Sequence, residues 1–210
     1  MRLLAIILVV AASAFAQDAT TQPAESQPTE SPWAFSLSTY VYFIPNDNEY
    51  IQPTITADRD WLHLEARYNY EAQNTGSVWL GYNFSGGEKI AWEITPMIGG
   101  VFGDTTGVAP GYKGSISWRG FELYSEGEYL FDAGDSSDSF FYNWSEFTFA
   151  PAEWCRFGLV AQRTRAYDTD RDIQRGLLVG FTYKQLDVAG YIFNPDDSEP
   201  VVVLAVRFEF

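Results

Sequence analysis

The sequence predicts an all-β fold of about twelve antiparallel strands, and three observations support this prediction. Apolar and polar side chains alternate with a period of two, as where Leu62 and Leu64 share one face of a segment and His63 and Glu65 share the other. The chain contains twelve such segments, which is an even number. The connections between them alternate in length, which is typical of an up-and-down arrangement of hairpins.

Clusters of Gly, Pro, Asn and Asp set the ends of each strand. Ten strands remain the alternative if two short segments merge. The first six predicted strands are 33–43, ending before Pro45; 50–58, ending at Arg59-Asp60; 61–71, ending before Gln73-Asn74; 76–85, ending before Gly86-Gly87; 89–101, ending before Gly103-Asp104; and 111–118, between Pro110 and Arg119-Gly120. The other six are 121–131, ending before Asp132; 139–149, ending before Pro151; 154–166, ending before Tyr167-Asp168; 173–184, ending before Gln185; 186–193, ending before Asn194-Pro195; and 200–210.

Composition narrows the possible partners and cofactors. The chain has 13 Lys and Arg against 28 Asp and Glu, a net charge of −15, which argues against a nucleic-acid partner. Aromatic residues make up 17% of the chain, so wholesale disorder is excluded. A single Cys and a single His exclude a disulfide framework and a Cys/His zinc cluster, and no metal or other cofactor is expected.

The N-terminus predicts export across a membrane. Residues 1–16 contain Arg2, an apolar run and the small-x-small ending Ala14-Phe15-Ala16, as in a cleaved signal peptide. Residues 17–32 read QDATTQPAESQPTESP, with no apolar residue larger than Ala, and predict a disordered Pro/Thr/Gln-rich tether in the periplasm. Residues 33–210 then form the folded domain.

From residue 33 to residue 210 the chain resembles bacterial outer-membrane β-barrel proteins of the small porin-like class. Short turns alternating with longer loops carry the resemblance, as does the final strand, in which Val202, Leu204 and Val206 alternate up to Phe208 and Phe210. The resemblance implies a closed antiparallel up-and-down transmembrane β-barrel in the outer membrane. It also implies contact with lipid and lipopolysaccharide, and recognition of Phe208 and Phe210 by the barrel-assembly machinery.

A physical argument supports closure of the sheet. Hydrocarbon offers no hydrogen-bond partners, so every strand edge in a membrane must be paired. The alternative is a secreted β-sandwich, which would place far more polar residues outside than inside. The seven tryptophans mostly fall near predicted strand ends, as an interfacial girdle requires, although Trp79 and Trp92 fit inward or mid-strand positions as well.

The longer loops are strongly acidic, and the resemblance places them outside the cell. Arg171 is their single basic residue, so we expect an acidic mouth that concentrates cations; a solvated rim that deters aggregation is the alternative. The sequence 168–172 places alternate carboxylates together but lacks the Gly and distal Glu of a calcium loop. The acidic residues are Asp47, Glu49, Glu71, Asp104, Asp132, Asp135, Asp138, Asp168, Asp170, Asp172, Asp196, Asp197 and Glu199.

Charges of both signs are predicted to line the lumen. If these side chains meet across the axis they plug the barrel, and if they leave a gap they line a narrow pore. Resemblance to twelve-stranded porins favours passive diffusion of small solutes; a non-conducting barrel that serves the envelope, or binds lipopolysaccharide or a partner, is the alternative. The predicted pore-lining residues are Glu65, Arg67, Glu93, Lys113, Glu126, Glu128, Arg156 and Arg207.

Three arginines break the alternation. By parity Arg163, Arg165 and Arg175 face outward, where they would contact lipopolysaccharide phosphates in pairs of hydrogen bonds. A β-bulge near Gln162 would instead return Arg163 and Arg165 to the lumen.

Enzymatic activity is not expected. His63 lies near the end opposite the acidic loops and shares a face with Glu65, which predicts a hydrogen-bonded lumen side chain rather than a catalytic base. Glu126 and Glu128 share a face as well, and pairing with Lys113 or another lumen base explains them better than acid-base chemistry. Cys155, without a partner His, is predicted to act as a small hydrophobic residue.

Overall fold

The computed structural model describes residues 32–163 and 173–210, and these residues form thirteen β-strands with one short 3-10 turn at Ser136–Asp138. No helix in these two ranges is long and apolar enough to cross a membrane. The strands are β1 Ala34–Phe43, β2 Tyr50–Arg59, β3 Leu62–Tyr68, β4 Thr75–Tyr82, β5 Phe84–Gly86, β6 Ala91–Gly103, β7 Gly107–Trp118, β8 Phe121–Asp132, β9 Phe140–Ala152, β10 Cys155–Arg163, β11 Gln174–Tyr183, β12 Leu186–Phe193 and β13 Val201–Glu209.

The thirteen strands close into a barrel with twelve strand positions around its circumference. We call these positions staves, and each stave is antiparallel to its neighbours. Neighbours in the chain pair in order, and β13 pairs with β1 to complete the ring. Strands β4 and β5 are one stave interrupted at Asn83, because Gly81 pairs with Met97 and Phe84 with Ile94 in the same register on β6. The twelve-strand prediction is therefore confirmed, and the ten-strand alternative is wrong.

Turn chemistry explains where the strands stop. Strand β3 ends at Tyr68, three residues earlier than predicted, because Asn69 takes a φ of 58° and its side-chain oxygen accepts the backbone N–H of Asn74 at 2.8 Å. At the opposite end, Arg119 and Gly120 both have positive φ, 50° and 82°, as tight hairpin turns require. The chain termini of the barrel lie at this short-turn end, where the backbones of Phe35 and Phe210 exchange hydrogen bonds.

The outer surface of the barrel is apolar. On β4, Val78 and Leu80 are 55% and 53% exposed, whereas their neighbours Ser77 and Trp79 point inward and are buried. On β13, Leu204 lies outward in the same way. An apolar belt on every described stave requires lipid or a similar apolar medium to cover it.

Five tryptophans lie on the outer surface at or near the short-turn end, as a girdle requires. Trp61 stacks on Tyr82 and Trp154 on Phe181, with ring centroids 5.1 and 6.2 Å apart. Trp144 was predicted near a strand end but faces the lumen and is buried, and Trp79 is also an inward residue. The outward tryptophans are Trp33, Trp61, Trp92, Trp118 and Trp154.

Candidate functional site

A cavity of about 580 Å³ occupies the short-turn half of the barrel. Its wall includes Ser36 of β1 and Glu209 of β13 near the mouth, and Lys184 and Gln185 from a short turn. Its inner end is formed by tyrosines, among them Tyr124 of β8. We call this space the vestibule.

Among the charged side chains of the vestibule wall, the acidic ones predominate. Eight carboxylates line it against four Lys and Arg side chains. A low-dielectric wall carrying such an excess raises the local concentration of cations and repels anions. The carboxylates are Asp58, Glu65, Glu93, Glu122, Glu126, Glu146, Asp187 and Glu209, and the basic side chains are Lys113, Arg156, Lys184 and Arg207.

The residues predicted to line a pore fall into two groups. Glu65, Glu93, Lys113, Glu126, Arg156 and Arg207 contribute to the vestibule wall. Arg67 and Glu128 lie beyond its inner end and are buried. The two groups meet at Glu65, which is buried, lines the vestibule and also binds Arg67.

The Arg67 cluster, which consists of Arg67, Glu65, Glu71, Glu128 and the ring of Trp79, lies in the lumen beyond the vestibule. The guanidinium donates to Glu65, and its Nη1 donates to Glu128 Oε2 at 2.7 Å and lies 3.8 Å from Glu71 Oε1. The guanidinium carbon lies 4.4 Å from the centroid of Trp79. Since a buried charge is costly unless it is paired, these contacts fix the Arg67 side chain in place.

Glu71 was predicted to belong to the acidic mouth, and the structure contradicts this. Its side chain turns into the barrel, is buried, and accepts a hydrogen bond from Ser77 Oγ at 2.6 Å. Glu71 has the same parity as Glu65 and Arg67, so its inward direction agrees with the alternation of the predicted strand 61–71, although β3 itself ends at Tyr68. The prediction of a mouth residue was wrong because Glu71 was counted with the loop that follows the strand rather than with the inward face.

A second set of polar contacts lines the vestibule on the side of β2 and β3. His63 bonds through Nδ1 to Asp58 at 2.7 Å and through Nε2 to Glu65 at 3.0 Å. Lys113 reaches across from β7, bonds to Glu65, and lies 3.8 Å from Glu126. Both His63 nitrogens are therefore engaged by carboxylates, which leaves the ring no free nitrogen to act as a catalytic base.

Side chains meet across the loop-side half of the lumen. Arg67 and Glu128 are in contact although β3 and β8 are four staves apart. The rings of Tyr70 and Tyr142, which also come from opposite sides of the barrel, have centroids 4.9 Å apart. An apolar core surrounds these contacts and includes Leu130, Phe193 and Val203, each with 0% exposure. Over the described residues, this half of the lumen is therefore packed.

The outward arginines lie at the long-loop end. Gln162 is buried and bonds to Gln174 at 2.8 Å, and the β9–β10 register is unbroken from Phe157 to Arg163. The bulge suggested near Gln162 is therefore wrong; the irregularity in β10 lies between Cys155 and Phe157 instead. Arg163 is exposed on the outer surface.

Arg175 is also exposed, and its Nη2 lies 3.0 Å from Asp196 Oδ2. Arg165 and the loop 168–172, with its calcium-like spacing, lie outside the described residues, as do the predicted signal peptide and residues 17–31 of the tether. Within the described ranges no group of three or more His, Cys, Asp or Glu side chains could hold a metal ion.

The final strand presents its aromatic residues to the outside at the short-turn end. Phe208 and Phe210 are 43% and 60% exposed, and their ring centroids lie 5.8 Å apart. Phe210 also stacks on Phe35 at 5.8 Å. At this end of the barrel, the seam between the first and last strands is thus flanked by aromatic rings.

No family model matches the sequence, and no curated protein matches it. Among solved structures, the barrel is similar to a KdgM porin and to a KdgM porin in complex with disordered oligogalacturonate, each with a TM-score of 0.60 and 11% sequence identity over 83% of this chain and 99% of that chain. A loop-deletion mutant of OmpT, an outer membrane protein of Vibrio cholerae, aligns with a TM-score of 0.34 and 9% identity over 85% of this chain and 98% of that chain. The chain therefore has the closed twelve-stranded antiparallel barrel fold of a porin.

Proposed function

We propose that this protein is a low-conductance, cation-preferring channel for small solutes in a bacterial outer membrane. The observation that carries the proposal is the vestibule, in which eight carboxylates face four basic side chains inside a closed barrel. The porin fold and the apolar outer belt support the membrane location, and the two KdgM structures are named as porins. Acidic residues of the long loops add to the attraction for cations.

The packed loop-side half of the lumen limits the conductance of the barrel. Because Arg67 and Glu128 touch across the lumen, a solute passes only when these side chains move aside. We therefore expect conductance well below that of a wide, water-filled porin. One structural neighbour is described in complex with oligogalacturonate, a polyanion. The acidic vestibule of this chain disfavours such a ligand and favours small cations and neutral solutes.

Planar bilayer recordings of the full chain test the proposal. A salt gradient of KCl should give a reversal potential with the sign of K⁺ preference. Replacing an exposed carboxylate of the vestibule, Glu93→Gln, should reduce that preference, because it removes a charge from the permeation path. Asp138→Asn, which removes an exposed charge from the 3-10 turn at the long-loop end, is the matched control and should change it less. Anion preference, or equal effects of the two variants, would contradict the proposal.

A second candidate function is a non-conducting barrel that serves the envelope or binds lipopolysaccharide, and the cross-lumen packing favours it. Silence in bilayers at high protein density supports this candidate over the channel. Outward Arg163 and Arg175 suit phosphate groups in the outer leaflet, together with Arg165. Loss of lipid A binding in Arg163→Ala with Arg165→Ala is the result expected, and unchanged binding contradicts it. Whether the barrel conducts or not, we propose that the barrel-assembly machinery recognises Phe208 and Phe210.

A further inference from the structure

The inner end of the vestibule combines aromatic rings with carboxylates in a regular arrangement. Tyr124 and Glu126 point inward from β8, and Trp144 and Glu146 point inward from β9. In the register of the two strands, Tyr124 is paired with Glu146 and Glu126 with Trp144. On the inward face, aromatic residues and carboxylates therefore alternate along each of the two strands and also between the strands. We call Glu126, Glu146, Tyr40, Tyr124 and Tyr191, which all line the vestibule, the inner site.

Neutral donors hold both carboxylates. Glu126 accepts hydrogen bonds from the hydroxyls of Tyr70 and of Tyr124, the latter at 2.7 Å. Glu146 Oε1 accepts the indole N–H of Trp144 at 2.8 Å and the hydroxyl of Tyr191 at 3.0 Å. Phenol and indole donors orient a carboxylate without cancelling its charge.

The two carboxylates differ in their access to a cation. Lys113 lies 3.8 Å from Glu126. In the described parts of the chain, Glu146 has no Lys or Arg nitrogen within ion-pairing distance. The next cation in the vestibule, Arg156, is engaged by both oxygens of Asp187. Glu146 therefore presents to the vestibule a carboxylate with which no Lys or Arg of the described ranges forms an ion pair, in a setting where such a pair would offset the cost of desolvation.

Aromatic rings surround this charge. Tyr40 and Tyr191 pack against Trp144 in edge-to-face geometry, with centroids 5.6 and 5.2 Å from it. Tyrosine rings attract cations through their quadrupole, and they suit organic cations, which carry apolar surface along with the charge. A bare metal ion fits less well, because the described residues provide no three-ligand group.

We propose that the inner site binds a small organic cation, with an alkylammonium group of the ligand against Glu146 and its carbon chain beside the tyrosine rings. This inference rests on the proposed function only for entry of the solute into the vestibule. It deepens that function by assigning a chemical class of solute and a residue that recognises it. A diamine suits the site, because Glu126 offers a second carboxylate on the adjacent strand.

Calorimetric titration of 1,4-diaminobutane into the full chain in detergent micelles, at constant ionic strength, tests the inference. Glu146→Gln keeps the shape of the side chain and its acceptor oxygen, and should weaken binding roughly tenfold, as expected for loss of one ion pair. Glu93→Gln removes a carboxylate from the same vestibule at an exposed position. It should weaken binding by less than about twofold, because salt screens an exposed charge. Succinate, an anion of similar length, should not bind.

Equal weakening by the two variants, or no binding of the diamine to the unaltered chain, would overturn the inference. Circular dichroism establishes that each variant folds. If Glu146→Gln does not fold, Tyr40→Leu removes one ring of the inner site and should weaken binding severalfold, and unchanged affinity in that variant likewise overturns it. Conductance is measured separately: a silent barrel that binds the diamine contradicts only the channel, and a conducting barrel that does not bind it contradicts only the inner site.

Discussion

Arg67 is a buried cation in the packed half of the lumen. It is the cation of a buried cluster in which Glu65, Glu71 and Glu128 supply three carboxylates. One oxygen of Glu71 and one of Glu128 have no hydrogen-bond partner. The cluster therefore has few hydrogen-bond donors for its carboxyl oxygens, and loss of the guanidinium leaves Glu71 and Glu128 without the cation that they share.

Replacing Arg67 by Met should lower the free energy of unfolding by about 3–5 kcal/mol, the usual cost of breaking a buried ion pair from one side. Urea unfolding in micelles, followed by tryptophan fluorescence, measures it. Adding Glu128→Gln to Arg67→Met should recover part of the loss, because it removes one buried carboxyl group that has lost its cation. Lys89→Met, at an exposed turn, is the control and should change stability by less than about 0.5 kcal/mol. A loss in Arg67→Met no larger than in this control would contradict the role given to the cluster.

At the same scale, the alternation in the sequence predicted which side chains face inward, but it did not predict which of them touch. It placed Glu65, Arg67 and Glu128 on the inner face, because alternation in a strand is a local property. It did not reveal that Arg67 and Glu128 touch, since a contact across the lumen depends on stagger and barrel radius. Glu146 was missed altogether; the repeated order aromatic-Ser-Glu at Tyr124 and Trp144 was the available signal.

Strand β6 shows how one small residue makes room for the cluster. Gly99 faces the lumen opposite Trp79, its partner in the register of β4 and β6. A Cβ atom at Gly99 would lie 2.5 Å from the indole ring, whereas a Cβ at the next residue, Gly100, would meet nothing within 4 Å. Two adjacent glycines therefore have different roles: Gly99 accommodates a ring, and Gly100 faces the outside.

Gly99→Ala should lower the free energy of unfolding by about 1–3 kcal/mol, because Trp79 must leave its place against Arg67. Gly100→Ala is the matched control, and should be neutral or stabilising, since Gly in a strand interior is less favourable than Ala. Denaturant unfolding of both variants measures the difference. Equal stabilities would show that Trp79 is not held where the structure places it.

At the scale of elements, the turns explain both the agreement and the errors. Strand number and order followed from Gly, Pro, Asn and Asp clusters, because those residues favour the conformations of turns. Where a turn uses an unusual residue, as Asn69 does with its positive φ, the observed strand ends three residues before the predicted boundary. The β4 and β5 stave was predicted as one strand, and its register shows that it is one.

For the whole molecule, the central physical claim is that hydrocarbon covers the outer belt. The stave formed by β4 and β5 spans 75–86, and Leu80 lies near its middle, 53% exposed and paired with Leu64 and Ile98 on either side. Ile90 is exposed to a similar degree, 52%, but lies in the turn before β6, at the rim. In water the two positions would be equivalent, whereas in a bilayer they differ in depth.

Leu80→Arg should therefore cost about 2–4 kcal/mol of unfolding free energy in lipid vesicles, and Ile90→Arg only about 0–1 kcal/mol, because the cost of an outward Arg falls from the bilayer midplane to the interface. Urea unfolding of both variants in vesicles of one lipid measures the difference. If water covered the belt, both substitutions would be surface changes and both would stay within about 0.5 kcal/mol. A small, equal effect would thus contradict the transmembrane assignment itself, and with it the membrane channel proposed from the vestibule. A large effect at Leu80 alone would locate the middle of the membrane on this stave, about midway along the barrel and therefore near the inner end of the vestibule.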